Sequence, residues 1–236
     1  YQQIDLPQPV LDVGSGDGQF ASVAFDHVLD VGIDPWWEPT RDAPRRGGYK
    51  ILLQSEGSHI PFPAEFFASA FSNSVLEHIP DLDPVLIEVN RVLQPGAPFA
   101  FCVPNHNFLA SLSIGRFLDR IGLRSLANGY RSFFNRIARH HHCDDAKTWQ
   151  ARLEKAGFEL EKWWHYYPPK AMQVTEWGHY LGLPSWISRQ ITGRWIISSS
   201  RWNLSITERL VRKYYQQEPV CDDGVCTFYI ARKSPA

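Results

Sequence analysis

The chain alternates short apolar runs with longer stretches in which apolar residues recur every three or four positions. Val10 to Val13 is a brief, mostly apolar run that ends in glycines, the pattern of a buried parallel strand. Gln19 to His27 then predicts a helix with Phe20, Val23 and Ala24 on one face. His27 to Ile33 reads as a second strand, stopped by Asp34-Pro35, Tyr49 to Leu53 as a third, and Ala68 to Asn73 as a fourth. Asp83-Pro84 predicts a helix start, with aspartate as N-cap and proline at the first helical position; Val85, Val89 and Val92 share one side of that helix. Gln94-Pro95-Gly96 ends it, and Ala97 to Val103 is a fifth strand.

The rhythm breaks at residues 105–143, a mostly helical, arginine-rich stretch. It returns at Asp144 with a helix that aligns Trp149, Leu153 and Ala156 and stops at Gly157, followed by a sixth strand from Phe158 to Tyr167. Residues 168–201 form a second, tryptophan-rich interruption. Ser205-Ile-Thr-Glu208 has the spacing of a capping box, predicting a helix that opens there with Ile206, Leu210, Val211 and Tyr214 aligned. Val225 to Arg232 is the seventh strand. Strands alternating with helices in this way predict an α/β fold with a doubly wound, mostly parallel seven-stranded sheet. The expected organisation is residues 1–105 as a cofactor-binding half, 106–143 as a helical insertion, and 144–236 completing the sheet around the second insertion at 168–201.

The stretch with the most chemistry is VLDVGSGDGQF, Val10 to Phe20. Gly14, Gly16 and Gly18 follow a strand, which usually means that a nucleotide lies against the backbone. A nicotinamide-binding turn wants GxGxxG and an acid about 20 residues on. Asp34 supplies the acid, but the register here is GxGxG, and position 19 is glutamine.

From this point the chain resembles the class I S-adenosylmethionine-dependent methyltransferases, particularly the small-molecule enzymes built like those of ubiquinone and menaquinone biosynthesis. The likeness is carried by LDVGSGDG (Leu11 to Gly18), VGIDP (Val31 to Pro35), EGSHIPFP with FFASAFSNSVLEHI (Glu56 to Ile79), and VLQPGAPFAFCVPN (Val92 to Asn105). The resemblance implies S-adenosyl-L-methionine as cofactor. It places Gly14, Ser15, Gly16 and Gly18 against the methionine part and Asp12 toward its ammonium. Asp34 falls to the ribose hydroxyls, Glu56 and Gly57 to the adenine, and Asn73 and Val75 near the sulfonium. Glu56 stands where aspartate is commoner. His78, just past the fourth strand, is the catalytic candidate, as a base or as a positioning residue; His106 is a second imidazole near the fifth strand. The two insertions are expected to cover the strand ends and form the acceptor pocket.

Charge and composition refine the partner. Residues 1–106 hold 14 Asp and Glu against 5 Lys and Arg, whereas residues 107–236 hold 11 against 19. Six arginines lie between 107 and 142 (Arg116, Arg120, Arg124, Arg131, Arg136 and Arg139), and seven of the nine tryptophans follow residue 145. An apolar small-molecule or lipophilic acceptor, or contact with an anionic membrane surface, suits that combination. Nucleic acid fits less well, because the arginines are spread through apolar helices rather than clustered with Lys or Gly. No feature bears on oligomeric state. The run His140-His141-His142-Cys143-Asp144-Asp145 invites a metal, but neighbouring side chains diverge and zinc ligand pairs favour gaps of two to five residues, so none is assigned. Cys221 and Cys226 flank a turn-like Asp222-Asp223-Gly224.

The four cysteines are scattered without a framework, and no apolar run approaches the roughly 18 residues of a membrane span. A reduced, cytoplasmic protein is expected, at most peripheral to a membrane. Met172 is the only methionine, so residues are expected to precede Tyr1. The sequence reading is methyl transfer to oxygen, nitrogen or carbon of a small acceptor. A non-catalytic binding protein or scaffold on the same fold is the main alternative, and a nicotinamide oxidoreductase a lesser one.

Overall fold

A computed structural model describes residues 1, 3–181, 190 and 201–235. Seven strands form one sheet in the order β3-β2-β1-β4-β5-β7-β6. They are β1 (Val10–Val13), β2 (Leu29–Asp34), β3 (Tyr49–Gln54), β4 (Ser69–Asn73), β5 (Pro98–Pro104), β6 (Phe158–Tyr166) and β7 (Cys226–Lys233). The pairs β1–β2, β1–β4, β2–β3 and β4–β5 are parallel, with Leu11 opposite Val31 and Ala70, and Ala70 opposite Phe99. The start of β5 exchanges hydrogen bonds with the end of β7, Gly96 N to Lys233 O and Lys233 N to Ala97 O, both at 3.0 Å. Strand β7 therefore enters antiparallel, which makes the sheet mostly rather than wholly parallel.

The chain divides into two units. The first contains residues 1–105, 140–164 and 227–236. Its core is Leu11, Val31, Ile33, Phe99 and Phe101 from the strands and Phe67 just before β4, with Leu86 and Val89 of α3 (Asp83–Val92) and Trp149 and Leu153 of α7 (Ala146–Lys155) packed against them. Strands covered on both faces need near-continuous apolar runs, and β5, buried along its whole length, is one. Asp145 caps α7 by accepting from Thr148 N at 2.8 Å.

The second unit contains residues 106–139 and 165–226. Its helices are α4 (Asn107–Ala110), α5 (Ser113–Arg120), α6 (Arg124–Ala138), α8 (Pro169–Leu181) and α9 (Arg201–Tyr215). Phe108, Leu112, Phe134, Met172 and Val225 make its core. Glu176 is fully buried there and caps α5, accepting from Ser113 N at 2.6 Å, Ile114 N at 3.2 Å and Tyr130 Oη at 2.6 Å.

Several local expectations are corrected. Helix α1 (Gln19–Ala24) ends three residues early, Val23 is 75% exposed, and Ala21 is its buried residue. Asp83 is the first helical residue of α3, with Leu82 at the N-cap; its carboxylate meets Lys155 Nζ at 2.5 Å instead of the helix backbone. Helix α9 begins at Arg201, so Ser205 to Glu208 lie inside it and open nothing. Trp37–Asp42 forms a short helix, α2, continued by a 3₁₀ turn at Ala43–Arg46, where no element was expected. The tryptophans at 186 and 195, and the side chains of Ile206 and Leu210, lie outside the described residues.

Candidate functional site

The glycine-rich loop leaves β1 by folding back on β2, with Gly14 N and Ser15 N both donating to Ile33 O, at 2.8 and 2.9 Å. Gly14, Gly16 and Gly18 all have positive φ, at 89°, 53° and 76°. A side chain at Gly14 would place its Cβ 2.4 Å from a Val75 methyl, so loop and post-β4 segment are in contact through a missing side chain. At Gly16 an added Cβ would meet nothing within 4 Å, so this turn presents bare backbone to open space.

Asp34 ends β2 and is almost fully buried. Its carboxylate accepts from Gly16 N at 3.0 Å and from Trp36 N at 2.8 Å. Each oxygen keeps a further lone pair. Asp12, 2% exposed on β1, accepts from Tyr49 Oη at 2.5 Å. Burial pushes the Asp12 carboxyl up to about 7, opposed by the Tyr49 hydrogen bond and reinforced by the nearby charge of Asp34. The same burial and the Asp12 charge raise the Tyr49 phenol. Ser15 Oγ is buried without a hydrogen-bond partner among the described residues.

The adenine-side candidates are placed less tightly. Ser55 N donates to Asp34 O at 3.1 Å, and His59 N to Glu56 O at 3.0 Å, so a turn carrying Glu56 starts beside Asp34. Glu56 is exposed. Gly57 has a packing reason of its own, since a Cβ there would lie 2.9 Å from Val85 on α3. Asn73 ends β4 and accepts from Cys102 Sγ at 3.1 Å, and Ser74 follows with φ of 53°.

After this bend a 3₁₀ turn, Leu76–His78, carries Glu77 and His78. Glu77 is 2% exposed, and burial pushes its carboxyl up to about 8. His78 is partly exposed, with Nε2 3.8 Å from a Glu77 oxygen and its ring 5.2 Å from that of His140. Burial lowers His140 to about 4, aided by its neighbours His78 and His141, so it is neutral at pH 7. His142 faces Ile79 O at 2.9 Å through Nε2 and Arg152 Nη1 at 2.9 Å through Nδ1. His106 belongs to the second unit, its ring 5.9 Å from that of His165. Cys221 opens a turn, its carbonyl accepting from Gly224 N at 3.0 Å.

Thus the structure gathers Asp12, Gly14, Ser15, Gly16, Gly18 and Asp34 with Val75 around the ends of β1, β2 and β4, the ligand-binding ends of an open parallel sheet. Sequence reasoning missed Tyr49, the partner of Asp12. Its only signal was an aromatic at the start of the strand that pairs with β2, and a contact across 37 positions has no local signature.

In the second unit, Ser113, Arg116, Phe117, Arg120, Lys170 and Asp223 are among the residues lining an open cleft of about 420 Å³. Large apolar side chains are exposed along α5, at its C-cap Ile121 and along α6, including Phe117, Leu126, Phe133 and Ile137. No helix among the described residues is long and apolar enough to cross a membrane.

Residues 11–101, which carry the glycine loop and Asp34, match the family described as "Methyltransferase domain". Among individual relatives, a "Sterol methyltransferase-like 1" of Botryococcus braunii is 37% identical over 100 residues, 39% of this chain and 25% of that protein. A "Ubiquinone/menaquinone biosynthesis C-methyltransferase UbiE" of Vibrio campbellii is 27% identical over 176 residues, 67% of each chain. The chain thus spans only about a quarter of the sterol methyltransferase-like relative. Among solved structures, the [4+2]-cyclase SpnF superposes with a TM-score of 0.60 at 18% identity, covering 96% of this chain and 74% of that one. A cyclase on this fold is a reminder that the fold hosts more than one reaction.

Proposed function

We propose that the chain is an S-adenosylmethionine-dependent methyltransferase acting on a small or lipophilic acceptor. The observation that carries this reading is the bare backbone of Gly16 beside the Asp34 carboxylate. An open glycine turn and an acid at the ends of adjacent parallel strands suit a nucleoside whose ribose donates two hydroxyls. When bound, the cofactor supplies a methyl group on a positive sulfur that leaves as a neutral thioether, so the protein's task is mainly positioning.

Asp34 holds the ribose, while Asp12 offers a negative oxygen to the ammonium. A cation beside Asp12 returns its raised pKa toward the ordinary carboxylate range. Glu56 and the turn after β3 serve the adenine, and Asn73 and Val75 border the transferred methyl. His78 orients the acceptor or removes its proton. The sterol methyltransferase-like and ubiquinone/menaquinone C-methyltransferase relatives support a lipophilic acceptor, and the exposed apolar residues of α5 and α6 are consistent with one that resides in a membrane.

Calorimetry with S-adenosylhomocysteine and with a nicotinamide dinucleotide tests the cofactor on wild type and Asp34→Asn, which keeps the side chain's shape. Binding of the homocysteine product, weakened on the order of 10- to 100-fold by the substitution, is the expected result, because hydrogen bonds to a charged acceptor are worth about 1.5–3 kcal/mol each. Dinucleotide binding alone refutes the reading. An acceptor screen with labelled cofactor then separates catalysis from a ligand-binding scaffold.

The second unit supports a partner as well as an acceptor. Arg116, Arg120 and Lys170 around the cleft, beside exposed Phe117 and Ile121, suit an anionic lipid surface. Vesicles containing phosphatidylserine should sediment the protein and neutral vesicles should not. Replacing Phe117 and Ile121 together by glutamate should remove most of the binding; equal binding to both vesicle types rejects the electrostatic part.

A further inference from the structure

Glu77 is 2% exposed, and its Oε2 has no hydrogen-bond partner among the described residues. Leaving a buried carboxylate oxygen unsatisfied is costly, and such groups are ordinarily neutralised, paired or bound to a metal. Two imidazoles stand beside it. His78 follows it in the same turn, and His140 comes from the segment after α6. One ligand atom from each of the three residues lies within 4.8 Å of the others.

The arrival of His140 is engineered by its neighbours. His141 N and His142 N both donate to Glu77 O, at 2.7 and 3.3 Å, and His142 Nε2 meets Ile79 O at 2.9 Å. Arg152 and Asp144, joined at 3.0 Å, hold the other side of His142, at 2.9 and 3.7 Å from its Nδ1. The histidine run is thus pinned to the turn after β4 by its backbone and by its third ring, which leaves the first ring facing His78. Cys143 Sγ lies 3.7 Å from His140 Nδ1.

We propose that Glu77, His78 and His140 form a binding site for a divalent transition-metal ion, with zinc as the probe that fits its donors best. Two imidazoles and one carboxylate are a borderline-soft set suited to zinc, and three protein ligands leave a coordination position for water or for an acceptor's oxygen or nitrogen. Magnesium prefers oxygen donors in near-octahedral array and is the poorer match. Metal–ligand bonds of about 2.0–2.2 Å bring neighbouring donors to roughly 3.4 Å in a tetrahedron, so the group must close up around an ion. His78, the most exposed of the three, has the room to turn. An imidazole held on an ion cannot also accept a proton, which makes His78 a positioning residue rather than the base. The site does not depend on the cofactor reading.

The test is calorimetric titration of the chelator-treated full chain with zinc, and with magnesium for comparison, on wild type, Glu77→Gln, His140→Ala and His141→Ala. One zinc per chain is expected, with affinity lowered at least tenfold by Glu77→Gln and by His140→Ala and unchanged by His141→Ala. Retained S-adenosylhomocysteine binding or an unchanged circular dichroism spectrum shows that each variant is folded. Cobalt added to wild type provides a readout independent of any variant, since ligation by these residues produces visible d–d absorption. Failure of wild type to bind zinc or to develop the cobalt spectrum overturns the site. So does zinc binding that is lost in His141→Ala and kept in Glu77→Gln, which would be chelation by a surface histidine run.

Discussion

Two buried glutamates set the two units of this molecule apart. Glu176, in the second unit, is fully enclosed and receives three hydrogen bonds, from two backbone N–H groups at the start of α5 and from Tyr130. Glu77, in the first, is almost as deeply enclosed, yet has an oxygen with no hydrogen-bond partner among the described residues and a carboxyl pushed up to about 8 by burial. A buried carboxylate that is fully satisfied is part of the architecture, because its donors stabilise the charge and it in turn closes a helix end. One that is half satisfied destabilises the fold until something else binds it. Asp12 and Ser15, also in the first unit, share that unfinished character, the one with a pKa raised to about 7 and the other with a hydroxyl that meets no partner among the described residues. Among the described residues, three of these unfinished groups, Asp12, Ser15 and Glu77, lie at or just after the ends of β1 and β4.

The sharpest way to break this comparison is substitution of the two residues themselves. Glu176→Ala should destabilise the protein by about 3–5 kcal/mol, because it leaves the α5 N–H groups and the Tyr130 hydroxyl unpaired in the interior. Glu77→Gln should be neutral or raise the melting temperature of the metal-free protein, since it replaces a carboxyl that burial already holds largely uncharged at pH 7 by a neutral amide of the same shape. Thermal unfolding followed by circular dichroism measures both, and equal losses would dissolve the distinction.

A smaller effect is expected at Gly14, where the first unit's tightest fit is steric. Gly14→Ala adds a Cβ 2.4 Å from Val75 at a φ of 89°, and should cost about 1–3 kcal/mol and at least tenfold in S-adenosylhomocysteine affinity. Gly16→Ala, at a site with nothing within 4 Å, should cost less stability and a comparable share of affinity. Parallel melts and titrations of the two variants would show whether loop packing and ligand contact separate as the geometry says.

The gentlest probe is pH. Asp12 and Glu77 have folded pKa values raised to about 7 and about 8, above their unfolded values of 3.8 and 4.5. The folded state therefore binds more protons than the unfolded one between those limits, so stability contributed by the two acids is full below about pH 4 and is lost as pH rises through 7 to 8. The melting temperature of the ligand-free protein should fall over pH 5–8, after allowance for other groups, and Asp12→Asn with Glu77→Gln should flatten that slope. An unchanged slope in the double variant would remove these two groups as its cause.

How much of this was readable in the chain depends on the range of the interaction. The strands of the sheet were legible because burial on both faces demands short apolar runs, and Gly, Pro and Asp punctuate them locally. Val85, Val89 and Val92 fell on one face of α3 and are buried for the same reason. Capping was less readable. Asp83 and Ser205 have the right chemistry, but a helix start depends on where tertiary packing places the first turn, and both residues ended up inside their helices. The turn residues 37–46 lacked a long enough apolar period to announce α2 and its 3₁₀ extension.

The sequence by itself determined the order of strands and helices, the glycine turn after β1 and an acid at the end of β2, because each depends on residues within a few positions of one another. Tertiary structure alone decided that Tyr49 would donate to Asp12, that Glu77 would be buried with an oxygen to spare, and that His140 would arrive opposite His78 across more than 60 residues. Backbone preferences act over single turns and strands. Which distant side chains share one low-dielectric space is settled only when the sheet closes its register and excludes water, and that shared space is what turns ordinary acids and imidazoles into a site.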